Sequence, residues 1–305
     1  MLRSLLFVPG DSERKIEKAR SCAADALVLD LEDSVASGRK AVARQIVSEH
    51  LKNAAGSPLL AQWVRINALS STEALLDLAS IVGGKPAGIL LPKADNPSDV
   101  LRVSYYLDAL EAREGLAIGS IAVLPVATET ARAPLSLALY PDAALPRLYG
   151  LTWGAEDLSA ALGAATNLDE DGRLSLTYRT VRSLTLLAAK ASGVEAVDTV
   201  YPNYRDLDGL RRSSIASRRE GFSGRFAIHP DQVDVINEAF SPSADDVAFA
   251  ERVVAAFDAA PDTGTVGVDG KMLDRPHLLQ AQKILAMRAL FAGRTSVRSP
   301  QEIRT

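Results

Sequence analysis

Eight short apolar runs, each followed by a longer helix-like stretch, set the limits on how this chain of 305 residues can fold. They are residues 3–9, 26–32, 63–67, 88–93, 121–126, 148–153, 196–201 and 224–229. Most are continuous rather than alternating, as expected of parallel strands buried on both faces. Their starts lie about 30 residues apart, the length of a βα unit with a right-handed crossover. Amphipathic stretches such as residues 12–24, 74–82, 98–113 and 178–192 fill the intervals. Eight alternations predict an α/β chain folded as a (β/α)8 TIM barrel rather than an open doubly wound sheet. No Gly-x-Gly-x-x-Gly follows the first run, so the dinucleotide-binding alternative lacks its main support. The barrel is assigned to residues 1–240. Residues 241–305 then make a C-terminal helical extension, read as a lid or oligomerisation arm. It comprises a helix at 244–259, a Gly/Asp/Thr-rich connector at 261–270 and a final helix at 275–292.

Charge and composition exclude several classes of function. Lys and Arg number 34 against 38 Asp and Glu, a net charge of −4, so no basic face for nucleic acid is expected. Aromatic residues at 5% are too few for an obvious base-stacking platform. The single cysteine, Cys22, excludes an intrachain disulfide and a multi-cysteine metal site. The longest apolar region, residues 116–128, falls short of the ~18 residues that span a bilayer. The expectation is a cytoplasmic protein with neither a nucleic-acid nor a membrane partner.

Barrel enzymes carry their chemistry at the C-terminal ends of the strands, and here nearly every run ends in a polar group. Asp30, Glu32 and Asp33 end the second run, Arg65 and Asn67 the third, and Lys93 the fourth. Glu129 follows the fifth, Glu156 and Asp157 follow the sixth, and His229 ends the eighth. Glu129 and Asp157, on neighbouring strand ends, suit Mg²⁺, with Mn²⁺ as the alternative, because magnesium is usually held by one or two carboxylates. Arg65 is read as a bidentate clamp for a substrate carboxylate. Lys93 is placed beside the acidic group of the second run. The Gly154 and Ala155 amides are candidate donors to a bound anion. The histidines His50, His229 and His277 have no ligand-like spacing, and His229 is read as structural.

These residues carry a resemblance. Residues 3–10 (RSLLFVPG), 29–35 (LDLEDSV) and 91–93 (LPK) are similar to the citrate lyase beta subunit and malyl-CoA lyase family, within the HpcH/HpaI aldolase superfamily. So are residues 129–133 (ETARA), 154–158 (GAEDL), 227–230 (AIHP) and 269–274 (DGKMLD), in the family's order. The resemblance implies a Mg²⁺-dependent barrel acting on a CoA thioester, commonly as a homotrimer or dimer of trimers. By position, Glu129 and Asp157 resemble the metal ligands and Arg65 the substrate-carboxylate residue. Glu32 and Asp33 resemble residues that hold metal-bound water. Asp274 resembles an acid/base that some members bring across a subunit interface. Gly264, Gly267 and Gly270 read as hinges that let it swing, and Asp274 before Arg275-Pro276 also reads as a helix N-cap.

Two departures stand out. The loop after Asp33 is slightly short and leaves a cationic role to either Arg39 or Lys40. The long tail sets the chain apart from the authentic citrate lyase beta subunit, which works on an acyl-carrier-protein thioester, and closer to stand-alone CoA-ester lyases. Arg14, Lys15 and Lys18 on the first helix are candidates for CoA phosphates, or form an exposed helix face.

The leading expectation is a lyase that splits, or forms, a 3-hydroxy-3-carboxyacyl-CoA such as malyl-, citramalyl- or citryl-CoA. The products are an α-keto acid and an acyl-CoA. The alternatives are an aldolase acting on free 2-keto acids, a malate-synthase-like or thioesterase activity, and a non-catalytic assembly subunit.

Overall fold

A computed structural model describes residues 1–54 and 60–297. Its first unit is built on eight parallel strands: β1 (Ser4–Pro9), β2 (Ala26–Asp30), β3 (Ala61–Arg65), β4 (Gly88–Leu91), β5 (Ala122–Pro125), β6 (Gly150–Thr152), β7 (Glu195–Asp198) and β8 (Gly224–Ala227). They are hydrogen-bonded in the order β5-β4-β3-β2-β1-β8-β7-β6. Parallel bridges Val123–Leu148 and Val126–Thr152 bring β5 onto β6 and all but close the ring. The fold is that of a TIM barrel. Helices α1 (Glu13–Arg20), α2 (Lys40–Ala54), α3 (Glu73–Ile81), α4 (Pro97–Arg113), α5 (Ala155–Leu162), α6 (Leu176–Ala191), α7 (Leu207–Glu220) and α8 (Asp231–Phe240) follow the strands. Between β5 and β6 the chain makes only a 3₁₀ segment, Ala133–Leu139.

Local chemistry starts these helices where the sequence punctuates them. The Ser12 side chain accepts from the Lys15 N–H at the head of α1, and Asn96 accepts from Ser98 N before Pro97 opens α4. Both satisfy an amide that the first turn would leave unpaired. The strands bury Leu5, Ala26, Val28, Trp63, Leu90, Leu124, Val126, Val197 and Phe226 in one cluster. Phe7 stacks on Phe226 with ring centroids 5.1 Å apart, and Trp63 meets Tyr149 edge-on at 5.1 Å. The barrel is therefore a packed core with aromatic filling. Truncating a buried ring such as Trp63 to Ala is a change that costs about 3–5 kcal/mol.

The chain divides into two compact units, the first ending at Ile236 and the second starting at Asn237. The second contains α9 (Ala244–Asp258), β9 (Thr265–Val268), β10 (Lys271–Asp274) and α10 (Arg275–Val297). Ser243 and Asp246 form a reciprocal capping box at the start of α9. Here one expectation fails. The segment read as a glycine-hinged connector is an antiparallel hairpin, with Val268 opposite Lys271 and Val266 opposite Leu273. Asp269 and Gly270 at its tip have φ of 50° and 75°, the left-handed pair that a tight two-residue turn requires. Val266, Val268 and Leu273 are buried with Ala250, Val253, Phe257 and Ala281. Gly267 lies inside β9, so the glycines mark a hairpin and not a swinging hinge. Among the described residues, no helix is long and apolar enough to cross a membrane.

Candidate active site

Asp30 and Arg65 are direct partners in the β2–β3 ladder, so their side chains leave the sheet at the same place. Arg65 donates through Nε and Nη2 to the two Asp30 carboxylate oxygens, each at 2.7 Å. Asp30 is 1% exposed and also accepts from the Glu32 and Ser34 amides at 2.9 and 3.1 Å. Burial would raise its proton affinity, but the Arg65 bond and charge prevail and hold it below the usual carboxylate range. Arg65 also lies 4.8 Å over the Phe7 ring, with Nη1 3.1 Å from Glu32 Oε2. The guanidinium fork expected to clamp a substrate is thus partly engaged by Asp30. What remains for a ligand is the Nη1 side of the group.

Lys93 stands at the centre of the acidic side chains. Its φ of 52° is left-handed, a conformation that costs a non-glycine residue about 1–2 kcal/mol and collects at functional sites. The turn aims its backbone N–H at Glu129 Oε2, 2.7 Å away. Its ammonium meets Glu32 Oε1 at 2.5 Å, Asp33 Oδ2 at 3.3 Å and Asp157 Oδ1 at 3.4 Å. Burial alone would lower the Lys93 proton affinity, but the Glu32 bond and the surrounding carboxylates raise it. Of the two cations left open by the sequence, Lys40 is the one that reaches the loop carrying Glu32. Its Nζ donates to the Leu31 and Glu32 carbonyls at 2.7 Å each and so ties down the loop that carries Glu32. Arg39 instead reaches Asp11.

Gly154, before α5, brings the third group of residues in. A Cβ there would lie 2.8 Å from Glu129 Cγ, so only glycine lets this loop close over the carboxylate. The Gly154 amide, a candidate donor to an anion, here donates its N–H to Thr128 Oγ1 at 3.0 Å. Ala155 opens α5, and Glu156 and Asp157 lie in its first turn, where carboxylates complement the helix dipole. Glu156 accepts from Asn167 at 2.9 Å. Trp153 Nε1 donates to the buried Asp198 at 2.7 Å. Asp198 also takes Arg182 and Arg225, which hold its carboxyl well below the ordinary range against the burial that would raise it.

Arg65, Glu129, Gly154, Ala155 and Asp157 line one pocket whose apolar walls include Phe7, Leu90, Val126 and Phe226. Glu129 is the most perturbed group in it. Burial first, then the Asp157 and Glu32 charges, push its carboxyl up to about 8, against the Lys93 N–H bond. Glu32 is raised by burial despite Arg65 and Lys93. Its Oε2 is buried and accepts no hydrogen bond, facing Arg65 only as an ion pair. The pocket therefore holds more carboxylate than its own cations satisfy. Among the described residues, no three or more His, Cys, Asp or Glu side chains converge to hold a metal unaided. The pair Glu129 and Asp157 fits a hard divalent cation that keeps positions for water and substrate.

Arg14, Lys15 and Lys18 are exposed on α1. Asp274, at the end of β10 in the second unit, is exposed and contacts His277 Nδ1 through its carboxylate. His229 stacks on Tyr204 at 4.8 Å, and Asn67 is spent on Leu31 O and Asp77. The sequence reading missed Asp30 as the partner of Arg65. It also missed Thr128, whose hydroxyl accepts from the Gly154 N–H, and the pocket walls.

Residues 3–230 match the HpcH/HpaI aldolase/citrate lyase family. A (3S)-malyl-CoA thioesterase of Cereibacter sphaeroides is 37% identical over 293 residues, covering 95% of this chain and 96% of the relative. The mitochondrial citramalyl-CoA lyase of Homo sapiens is 32% identical over 301 residues, 93% of this chain and 85% of the relative. The crystal structure of CitE from Mycobacterium tuberculosis, in complex with magnesium, acetoacetate and coenzyme A, superposes with a TM-score of 0.77. It is 32% identical and covers 94% of this chain and 98% of that one. With three quarters of its length inside the match and the carboxylate-lined pocket at the barrel mouth, the chain belongs to the HpcH/HpaI aldolase/citrate lyase family.

Proposed function

We propose that the protein is a Mg²⁺-dependent carbon–carbon lyase that splits a 3-hydroxy-3-carboxyacyl-CoA into an α-keto acid and an acyl-CoA. The observation that carries this reading is the pocket lined by Glu129, Asp157 and Arg65, with Glu129 pushed up to about 8 by burial and by the Asp157 and Glu32 charges. Magnesium bound there would neutralise charge developing on the hydroxyl oxygen and orient the keto acid. Glu129 and Asp157 would hold it, and Arg65, itself braced by Asp30, attracts the substrate carboxylate. Lys93 keeps Glu32, Asp33 and Asp157 from repelling one another and aims Glu129 through its backbone amide. Cleavage takes the proton from the substrate hydroxyl, breaks the bond between the carbinol carbon and the thioester α-carbon, and returns a proton to that α-carbon. Asp274 is proposed for this proton on the likeness of residues 269–274 to the family pattern. Arg14, Lys15 and Lys18 are proposed for the CoA phosphates, and a cytoplasmic homotrimer or dimer of trimers for the assembly.

A second reading, hydrolysis of the thioester, is favoured by the likeness to the malyl-CoA thioesterase. One screen separates the two. Malyl-, methylmalyl-, citramalyl- and citryl-CoA are each incubated with the protein and Mg²⁺, and products are identified by mass spectrometry. The lyase reading expects equal amounts of α-keto acid and acyl-CoA from at least one substrate. Free CoA with the intact hydroxy diacid, and no keto acid, would establish hydrolysis instead.

A further inference from the structure

Thr152 ends β6 with a hydroxyl that has nothing to bond. Its neighbours in register are Val126 beyond β5 and Val197 on β7, and both belong to the apolar cluster inside the barrel. Residues level with each other on adjacent strands point to the same face of a sheet, so the Thr152 side chain also turns inward. The residue is 1% exposed and lines the same pocket as Arg65, Glu129 and Asp157. Its Oγ1 is buried and without a hydrogen-bond partner among the described residues. Valine has nearly the same shape and would fill this position with no polar atom left unsatisfied, so the hydroxyl is a burden on the free protein.

Several other donors at this end of the barrel are already committed. Trp153 Nε1 is bonded to Asp198, the Gly154 N–H to Thr128 Oγ1 and the Lys93 N–H to Glu129. Two of the Arg65 donors go to Asp30. A small anion drawn in by Arg65 has four lone-pair sites on its carboxylate and can accept from more than one donor within the pocket. We infer that Thr152 Oγ1 is a specificity-determining group that donates to the carboxylate of the α-keto-acid half of the substrate. This rests on the lyase reading above. The hydroxyl would be unpaired in the free protein and paired in the complex, so its contribution falls on recognition of the keto acid and not on the acyl-CoA half.

The test compares Thr152→Val, which deletes the hydroxyl and keeps the shape, with Thr152→Ser, which keeps the hydroxyl. Dissociation constants for pyruvate and glyoxylate, each with saturating Mg²⁺, and for acetyl-CoA are measured by calorimetry, alongside melting temperatures without ligand. A hydrogen bond from a hydroxyl to a charged group is worth about 10- to 100-fold in affinity. Thr152→Val should therefore weaken keto-acid binding by about that factor, leave acetyl-CoA unchanged, and melt no lower than the unsubstituted protein. Thr152→Ser should keep most of the keto-acid affinity. Equal keto-acid affinity in Thr152→Val and the unsubstituted protein overturns the inference and leaves the lyase reading standing. So does a loss in Thr152→Ser as large as in Thr152→Val, or a parallel loss of acetyl-CoA. If neither keto acid binds the unsubstituted protein, both the inference and the lyase reading fall.

Discussion

Replacing Glu129 by Gln is expected to stabilise the metal-free protein, and to do so increasingly as the pH rises. Glu129 is 7% exposed, and burial, reinforced by Asp157 and Glu32, lifts its carboxyl from 4.5 to about 8. Between these values the folded protein holds a proton that the unfolded chain has released. The Glu129 contribution to stability is therefore complete below the unfolded value and is lost as the pH climbs through the folded one. At about 1.4 kcal/mol per tenfold, that interval is worth at most about 5 kcal/mol by pH 9. Glutamine has the same shape and cannot ionise, so it escapes the loss. Melts of both proteins in a chelator across about pH 5 to pH 9 should start close together and diverge. By the upper end Glu129→Gln should lead by about 5–10 °C. Saturating Mg²⁺ should shrink or reverse the gap, since only the carboxylate binds the ion well. Melting curves that stay parallel over the whole range in chelator would refute the reasoning.

Three further substitutions probe the site from other sides. Arg65→Lys keeps the charge but gives up the planar fork that grips Asp30. Calorimetry should show pyruvate binding weakened by about 10- to 100-fold, with Mg²⁺ affinity nearly unchanged. Lys93→Met removes the ammonium shared by Glu32, Asp33 and Asp157. The metal-free melting temperature should fall while Mg²⁺ binding tightens, because the carboxylates lose their internal counter-ion. Asp274→Asn should lower kcat by about 10²–10⁴ if Asp274 is the general acid/base, with little change in melting temperature. Restored activity in oligomers mixing Asp274→Asn with Glu129→Gln subunits would show that it works across an interface.

The strands are legible because parallel strands covered on both faces need no alternation, and the apolar runs at 26–29 and 88–91 are unbroken. Their ends are less so. The apolar pattern carries the seventh run to Tyr201, but β7 stops at Asp198, whose side chain turns outward onto Arg182 and Arg225. Individual strand-end groups could be named from sequence, since Glu129, Asp157 and Lys93 have no packing reason to follow apolar strands. Their mutual relations could not. That Arg65 faces Asp30, or that Gly154 abuts Glu129, follows from strand register and barrel closure, which bring together residues tens of positions apart. The hairpin is the instructive miss. Asp269-Gly270, flanked by the alternation of Val266, Val268 and Leu273, is among the strongest local hairpin signals.

Magnesium calorimetry on the unsubstituted protein, Glu129→Gln and Asp157→Asn tests the central claim most directly, that these two carboxylates make one metal site at the barrel mouth. The account predicts one ion per chain in the unsubstituted protein, with close to one proton released per ion at pH 7, because Glu129 must give up its proton to bind. Each variant should bind far more weakly, and Glu129→Gln should release almost no proton. Undiminished Mg²⁺ affinity in both variants would contradict it.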